Sequence, residues 1–245
     1  MNIIKISAID STNLYLKQLL MKSKLKNFTT VVTENQTAGR GQMGTNWISE
    51  KGKNLTFSVL IDLKSFEIRD QFYLSMSVSL GIYSVLMEEC DTKFYIKWPN
   101  DILAVKDKVA GVLIENIIGG AYIKHSIVGI GLNVNQENFP NEITNVSSLK
   151  RIGLKDYNLD ELLLKIINSV QYFVSFIEKK EFSNLKKMYL EQLFMINKPA
   201  MFEDIKGRIF LGKIVNVSEA GMLMVELENE KIRKFNLKEI KFANR

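Results

Sequence analysis

The chain has 245 residues, 46% hydrophobic and 24% charged, enough for one large domain or a medium domain with a small one, and nothing in the composition signals disorder. Its net charge of +6 comes from 33 basic residues scattered among 27 acidic ones, and no helix-turn-helix, zinc-finger or RNA-binding aromatic pattern accompanies it. One cysteine excludes an internal disulfide, one histidine excludes a histidine-rich metal centre, and no apolar run approaches the ~20 residues of a membrane span. With no signal-peptide pattern at the N-terminus, a cytoplasmic location without membrane attachment is expected.

In chain order, a strand at Ile3 to Ile6 leads to Asp10 or Ser11, either of which caps a predicted helix carrying Leu14, Leu19 and Leu20 roughly on one face. Lys22 to Lys26 reads as its solvated end. Strands at Thr30 to Thr33 and Leu55 to Ile61 flank a glycine-rich loop. Gln71 to Glu89 reads as a long helix whose serines suit packing against both a sheet and a ligand shell, with plain core packing as the simpler reading. Cys90 falls in the same apolar stretch and reads as a buried, inert thiol. Four strand-like runs follow, Phe94 to Lys97, Ile102 to Val105, Lys108 to Glu115 and Ala121 to Asn133, giving a mixed or antiparallel sheet that carries the lone His125. Helices are expected at Asp160 to Phe176 and Phe182 to Phe194. A composition shift at Asn197-Lys198-Pro199 marks a domain boundary, so 1–197 reads as one domain and 198–245 as a second. There the runs Arg208 to Leu211, Lys213 to Val217, Met222 to Leu227 and Ile232 to Asn236, broken by Gly207, Gly212, Gly221 and Asn229, have the pattern of a small β-barrel. Its small size predicts docking on the larger domain.

The glycine-rich loop, Thr37-Ala38-Gly39-Arg40-Gly41-Gln42-Met43-Gly44-Thr45-Asn46-Trp47, surrounds a single arginine with glycines that let an anion approach the backbone. The same residues also suit an ordinary surface turn. Lys97-Trp98-Pro99-Asn100-Asp101 ends a strand with a cation, an amide and a carboxylate; Asn100 and Asp101 are suited to Mg²⁺ and Lys97 to phosphate, or the segment is a plain turn. Lys108 stands at the mouth of an apolar strand where Gly111 leaves room for a ligand, and a cation there can draw carboxylate and phosphate together. Gly129-Ile130-Gly131-Leu132-Asn133-Val134-Asn135 adds two more glycines and two asparagines at a strand end, and is neither a dinucleotide fingerprint nor a P-loop.

Asp10-Ser11-Thr12-Asn13, Gln36 to Gly41, Lys97 to Asp101, Lys108 to Gly111 with Glu115, and Gly129 to Asn135, in this order and spacing, resemble the motifs of the biotin–protein ligases, which share a catalytic fold with the lipoate–protein ligases. The resemblance covers nearly the whole chain. It implies an α+β fold of the class II aminoacyl-tRNA synthetase-like, biotin–lipoate ligase kind, a mixed sheet with flanking helices plus a C-terminal SH3-like β-barrel. It also implies a two-step reaction: biotin and ATP give biotinyl-5′-AMP and pyrophosphate, with Mg²⁺, and the biotinyl group then passes to a lysine on the biotin carboxyl carrier domain of a biotin-dependent carboxylase.

By that resemblance, Ser11, Thr12 and Gln36 bond the ureido ring, with Asn13, Gly39, Gly41 and Gly111 also on the biotin side and apolar strand residues around the valeryl tail. Lys108 and Arg40 are the catalytic pair: Lys108 bridges the biotin carboxylate and α-phosphate, and Arg40 approaches both. Gln42, Trp47, Lys97, Asn100 and Asn133 fall on the nucleotide side, and Asp101 near Mg²⁺. Many family members carry arginine at Gln42, and often another at Thr45, so this loop is expected to hold phosphate with less charge and to leak adenylate. Longer members have an N-terminal DNA-binding domain; with motifs beginning at Asp10, the short form, without DNA, is expected. A homodimer is compatible with the resemblance. A lipoate or octanoate ligase or transferase, a non-enzymatic biotin or nucleotide sensor and a nucleic-acid module are the rival readings.

Overall fold

The computed structural model describes residues 2–243. The first half runs β1 (Ile3–Ile9), α1 (Thr12–Lys22), β2 (Thr30–Gln36), β3 (Leu55–Ile61), β4 (Phe66–Glu67), α2 (Gln71–Glu89), β5 (Phe94–Lys97), β6 (Asp101–Ala104), β7 (Asp107–Gly119) and β8 (Tyr122–Leu132). The remainder comprises α3 (Leu149–Gly153), α4 (Leu159–Glu178), α5 (Phe182–Glu191) and strands β9 (Pro199–Asp204), β10 (Ile209–Val217), β11 (Leu223–Leu227), β12 (Ile232–Phe235) and β13 (Ile240–Phe242).

The first eight strands form one mixed sheet with the path β1-β2-β3-β8-β7-β6-β5, β4 joining β8 at the side. β1 and β2 run parallel across α1, and the other pairs are antiparallel. The centre of the sheet is covered on both faces. β3 (Leu-Thr-Phe-Ser-Val-Leu-Ile) is buried at every position, so its apolar residues pack two ways and its polar Thr56 and Ser58 face inward. On one face lies a core built by α2, α4 and α5; on the other, Leu16 of α1 meets Val31, Leu60 and Ile127.

Several expectations need correction. The buried residues of α1 are Thr12, Asn13 and Leu16, while Leu14 is exposed, because the helix turns a polar end toward the sheet. Helix α2 matches its predicted span and the simpler reading of it, core on nearly every side, and none of its residues lines the cavity described below. Cys90 is its C-cap; the thiol is buried, lies 2.9 Å from the Tyr157 hydroxyl, and burial pushes its pKa up. α5 stops at Glu191, and Phe194 instead donates its amide to the Ile96 carbonyl at the sheet edge.

The last five strands form an antiparallel SH3-like sheet with the path β12-β11-β10-β9-β13. Gly212 does not break β10, as its sequence pattern suggests. It sits inside the strand, where a Cβ would press on Val225 across the sheet. Sequence patterning passed over β9 and β13, the latter three residues long. Between β9 and β10, the Arg208 guanidinium holds the Asp204 carboxyl down to about 2. This sheet docks on the larger one: the Trp98 indole donates to the Gly221 carbonyl at 2.8 Å, and Phe194 packs against Phe242.

Candidate active site

A cavity of about 250 Å³ opens between the N-terminal end of α1, the glycine-rich loop, and strands β3, β6, β7 and β8. Ser11 caps α1 through its hydroxyl, which accepts from the Leu14 amide. That cap fixes Thr12 and Asn13 at the start of the helix, facing the sheet. The Gln36 carbonyl oxygen Oε1 accepts from the Thr12 amide at 2.9 Å and lies 3.2 Å from its hydroxyl. Asn13 donates to Glu115 Oε2 at 2.6 Å, and its own Oδ1 lies 2.6 Å from Ser58 Oγ. Ser58 Oγ is also 2.7 Å from Thr12 Oγ1. This end of the cavity is therefore a connected network of neutral groups anchored by one carboxylate. Gly129 makes room for it, since a Cβ there would run into the Asn13 amide.

At the other end stand two cations. Lys108 Nζ pairs with Asp101 Oδ1 at 2.6 Å and lies 5.8 Å from the Trp47 ring centroid. Gly111 keeps the space beside that ammonium open, and Gly131 does the same for the Trp47 indole. Arg40 comes from the loop, which closes on itself: the Gly41 amide donates to the Thr45 carbonyl at 2.6 Å and the Trp47 amide to the Gly39 carbonyl at 3.0 Å. Among the described residues, neither the Arg40 guanidinium nor the Gln42 amide has a partner. Phe57, Val112, Leu113 and Ile130 supply an apolar stretch between the two ends.

Of the residues singled out in the sequence, Ser11, Thr12, Asn13, Gln36, Arg40, Gly41, Gln42, Trp47, Asn100, Asp101, Lys108 and Gly111 line this cavity. Three do not. Gly39 is buried behind the loop, where a Cβ would press on the Trp47 backbone. Lys97 lines the adjoining cavity of about 780 Å³ between the two sheets, which shares Gln42 and Asp101 with the first one. Asn133 is buried below the floor; its Nδ2 donates to the Ser147 carbonyl at 3.1 Å, and its Oδ1 has no partner among the described residues. Asn100 spends its amide on the Val112 carbonyl at 2.6 Å.

Ser58 and the lining residue Thr56 were not singled out in the sequence, whereas Gly129 and Gly131, the two glycines of the last motif, line the cavity. A signal for the first two was present: polar residues at alternate positions of an otherwise apolar strand. His125 sits on β8 with Nδ1 3.8 Å from Asp62 and does not line the cavity. The described residues hold no cluster of three or more His, Cys, Asp or Glu suited to a metal, and no helix among them is long and apolar enough to cross a membrane.

Residues 6–133 match the family model of the biotin/lipoate A/B protein ligases. The chain is 27% identical over 209 residues to the bifunctional ligase/repressor BirA of Bacillus subtilis, covering 84% of this chain and 63% of that protein. It thus spans less than two thirds of that relative's length. It is 34% identical over 127 residues to the biotin--[acetyl-CoA-carboxylase] ligase of Paracoccus denitrificans, half of each chain. The solved structure of biotin protein ligase from Aquifex aeolicus in complex with biotin and ATP superposes with a TM-score of 0.82 at 29% identity, covering 99% of both chains.

Proposed function

The chain belongs to the biotin/lipoate A/B protein ligase family, and from that premise we propose that it activates biotin with ATP and transfers it to a lysine of a biotin carboxyl carrier domain. One observation carries the choice of biotin. The cavity joins a hydrogen-bonding end of neutral groups, tied behind to the Glu115 carboxylate, to a cationic end through an apolar stretch, matching a ureido head, an alkyl tail and a carboxylate in that order.

The residues act mainly by position and charge. Thr12, Asn13, Gln36 and Ser11 hold the head. The carboxylate lies against Lys108 and Arg40, so that one of its oxygens attacks the α-phosphorus. An O–P bond forms, the bond to the β-phosphate oxygen breaks, and pyrophosphate leaves toward Lys97 in the adjoining cavity. In the second step the carrier lysine, as a free amine, attacks the acyl carbon of the mixed anhydride. The C–O bond breaks, AMP departs with the electron pair, and the amine loses a proton. Lys108 serves both steps by offsetting charge that grows on carboxylate and phosphate oxygens. Trp47 on the cavity wall suits the nucleotide, whereas Asn133, buried below the floor, can serve it only through the backbone it holds in place. Mg²⁺ favours a few carboxylates plus phosphate and water oxygens; Asp101, a lone carboxylate on the cavity wall with one oxygen paired to Lys108, would supply one ligand to a cation arriving with ATP, which would neutralise its phosphates.

Residues 1–197 are read as the catalytic unit and 198–245 as an SH3-like unit. The reaction is placed in the cytoplasm, without DNA, and a homodimer is compatible with it because one chain supplies every residue named here. The test offers the protein Mg·ATP, a biotin carrier domain and equal biotin, lipoate and octanoate, and weighs the carrier. A biotin-sized shift that needs ATP, and that slows about 10²–10³-fold in Lys108→Ala, is expected. A lipoyl or octanoyl shift overturns the choice of biotin, and no shift with intact ligand binding favours a sensor.

A further inference from the structure

A segment outside the cavity holds the backbone of Lys108. Where β7 meets β6 the register slips: Ile102 faces Ala110 but Leu103 faces Lys108, leaving Val109 as an extra residue. Such a bulge re-aims the neighbouring side chain. On the other side of β7 the ladder with β8 begins only at Ala110, so residues 145–147 take up the backbone groups of Lys108. The Lys108 amide donates to the Asn145 carbonyl at 2.8 Å, and the Lys108 carbonyl accepts from the Ser147 amide at 3.0 Å, forming a parallel bridge opposite Val146. The strap is tied down in turn by Asn133, whose amide donates to the Val109 carbonyl at 2.8 Å and whose Nδ2 donates to the Ser147 carbonyl at 3.1 Å.

Asn145 is the joint of this strap. Its φ is +55°, in the left-handed region that asparagine and glycine enter far more readily than other residues. Its side chain is exposed and makes no hydrogen bond among the described residues, so the position demands a backbone shape rather than a side-chain contact. We propose that Asn145 is a positioning residue for the ligation reaction: its left-handed backbone aims a carbonyl at the Lys108 amide and so fixes where the Lys108 ammonium stands relative to Asp101 and the reacting carboxylate. The proposal rests on the ligase reading of Lys108 and adds to it a residue that touches neither substrate.

The test compares Asn145→Ala and Asn145→Gly with the unaltered protein. The readouts are single-turnover adenylate formation, biotin affinity, thermal midpoint and amide exchange at Lys108. Alanine should slow adenylate formation about ten- to a hundredfold, as a small misplacement of a reacting group does, while biotin affinity and thermal midpoint hold and the Lys108 amide exchanges at least about tenfold faster. Glycine, which adopts the same backbone freely, should recover the rate to within about threefold. An alanine variant with unchanged rate and unchanged Lys108 exchange overturns the proposal. So does a glycine variant as slow as alanine, since the side chain would then be the cause. If the unaltered protein forms no adenylate with biotin, lipoate or octanoate, the ligase reading fails instead, and amide exchange alone still judges whether the strap holds Lys108.

Discussion

At the head of the cavity Thr12, Asn13 and Ser58 are buried and bonded to one another, whereas at the tail Arg40, Thr45 and Asn46 stand exposed on a loop held chiefly by its own backbone. The head is finished before any ligand arrives. Its groups have fixed partners and fixed directions, so a matching ligand meets little reorganisation and a mismatched one leaves buried polar atoms unsatisfied. The tail is completed by what binds there: two side chains without partners, Arg40 and Gln42, face the space where carboxylate and phosphate would lie. On the proposed ligase reading, selection of the acyl group would belong to the rigid end, and retention of the activated intermediate to the loop.

The sharpest way to break this division is at the head. In Gly129→Ala the new methyl group would collide with the Asn13 amide and push it out of register with Ser58 and Glu115. Disturbing such a buried network costs about 1–3 kcal/mol, so biotin affinity should fall up to about a hundredfold, while nucleotide affinity stays within about twofold. Calorimetric titration of each ligand separately reads both numbers. Equal losses for biotin and ATP would mean that the two ends are not independent.

Gln42→Arg sharpens the comparison from the other side. A charge-assisted hydrogen bond to phosphate is worth about 1.5–3 kcal/mol, against about 1 for a neutral one. The arginine variant should therefore hold biotinyl-5′-AMP about tenfold longer, with biotin affinity unchanged. Labelling of bystander lysines on an unrelated protein should drop in proportion. If the unaltered protein already labels only its carrier domain, the missing charge is compensated elsewhere and the loop does not leak.

The two ends also differed in how far they could be read from the sequence. Strand and helix spans around the site were legible because β3, β5 and α2 carry mainly apolar patterns bounded by turns, and the motifs near them then fell at predictable strand ends. The inward face of α1 was legible only through the Asp10 to Asn13 motif and not from apolar periodicity, since two of its three buried residues are a threonine and an asparagine whose reason for burial is a network spanning α1, β3 and β7. For Lys97 the sequence left the position open. It adjoins Asn100 and Asp101 in sequence, but its side chain lines the cavity on the far side of Asp101. The strap at residues 145–147 left little sequence signal beyond an asparagine able to take a left-handed backbone, because it works through backbone groups that every residue possesses.

The mildest test concerns the loop's order. Arg40 is an exposed cleavage site for trypsin on a segment whose backbone has few bonds outside itself. Proteolysis of such a segment tracks the population of its open form, so ligands that complete the tail should protect it by mass action. Biotin with ATP should slow cleavage after Arg40 several-fold, biotin alone less, while cleavage after the exposed Lys24 and Lys26 beyond α1 stays constant as an internal reference. Equal protection by biotin alone would place loop closure at the first binding event and move part of the tail's work to the head. Unchanged cleavage under all conditions would mean that the loop stays open over the adenylate, and retention would then have to come from Lys108 and Trp47 on the cavity wall.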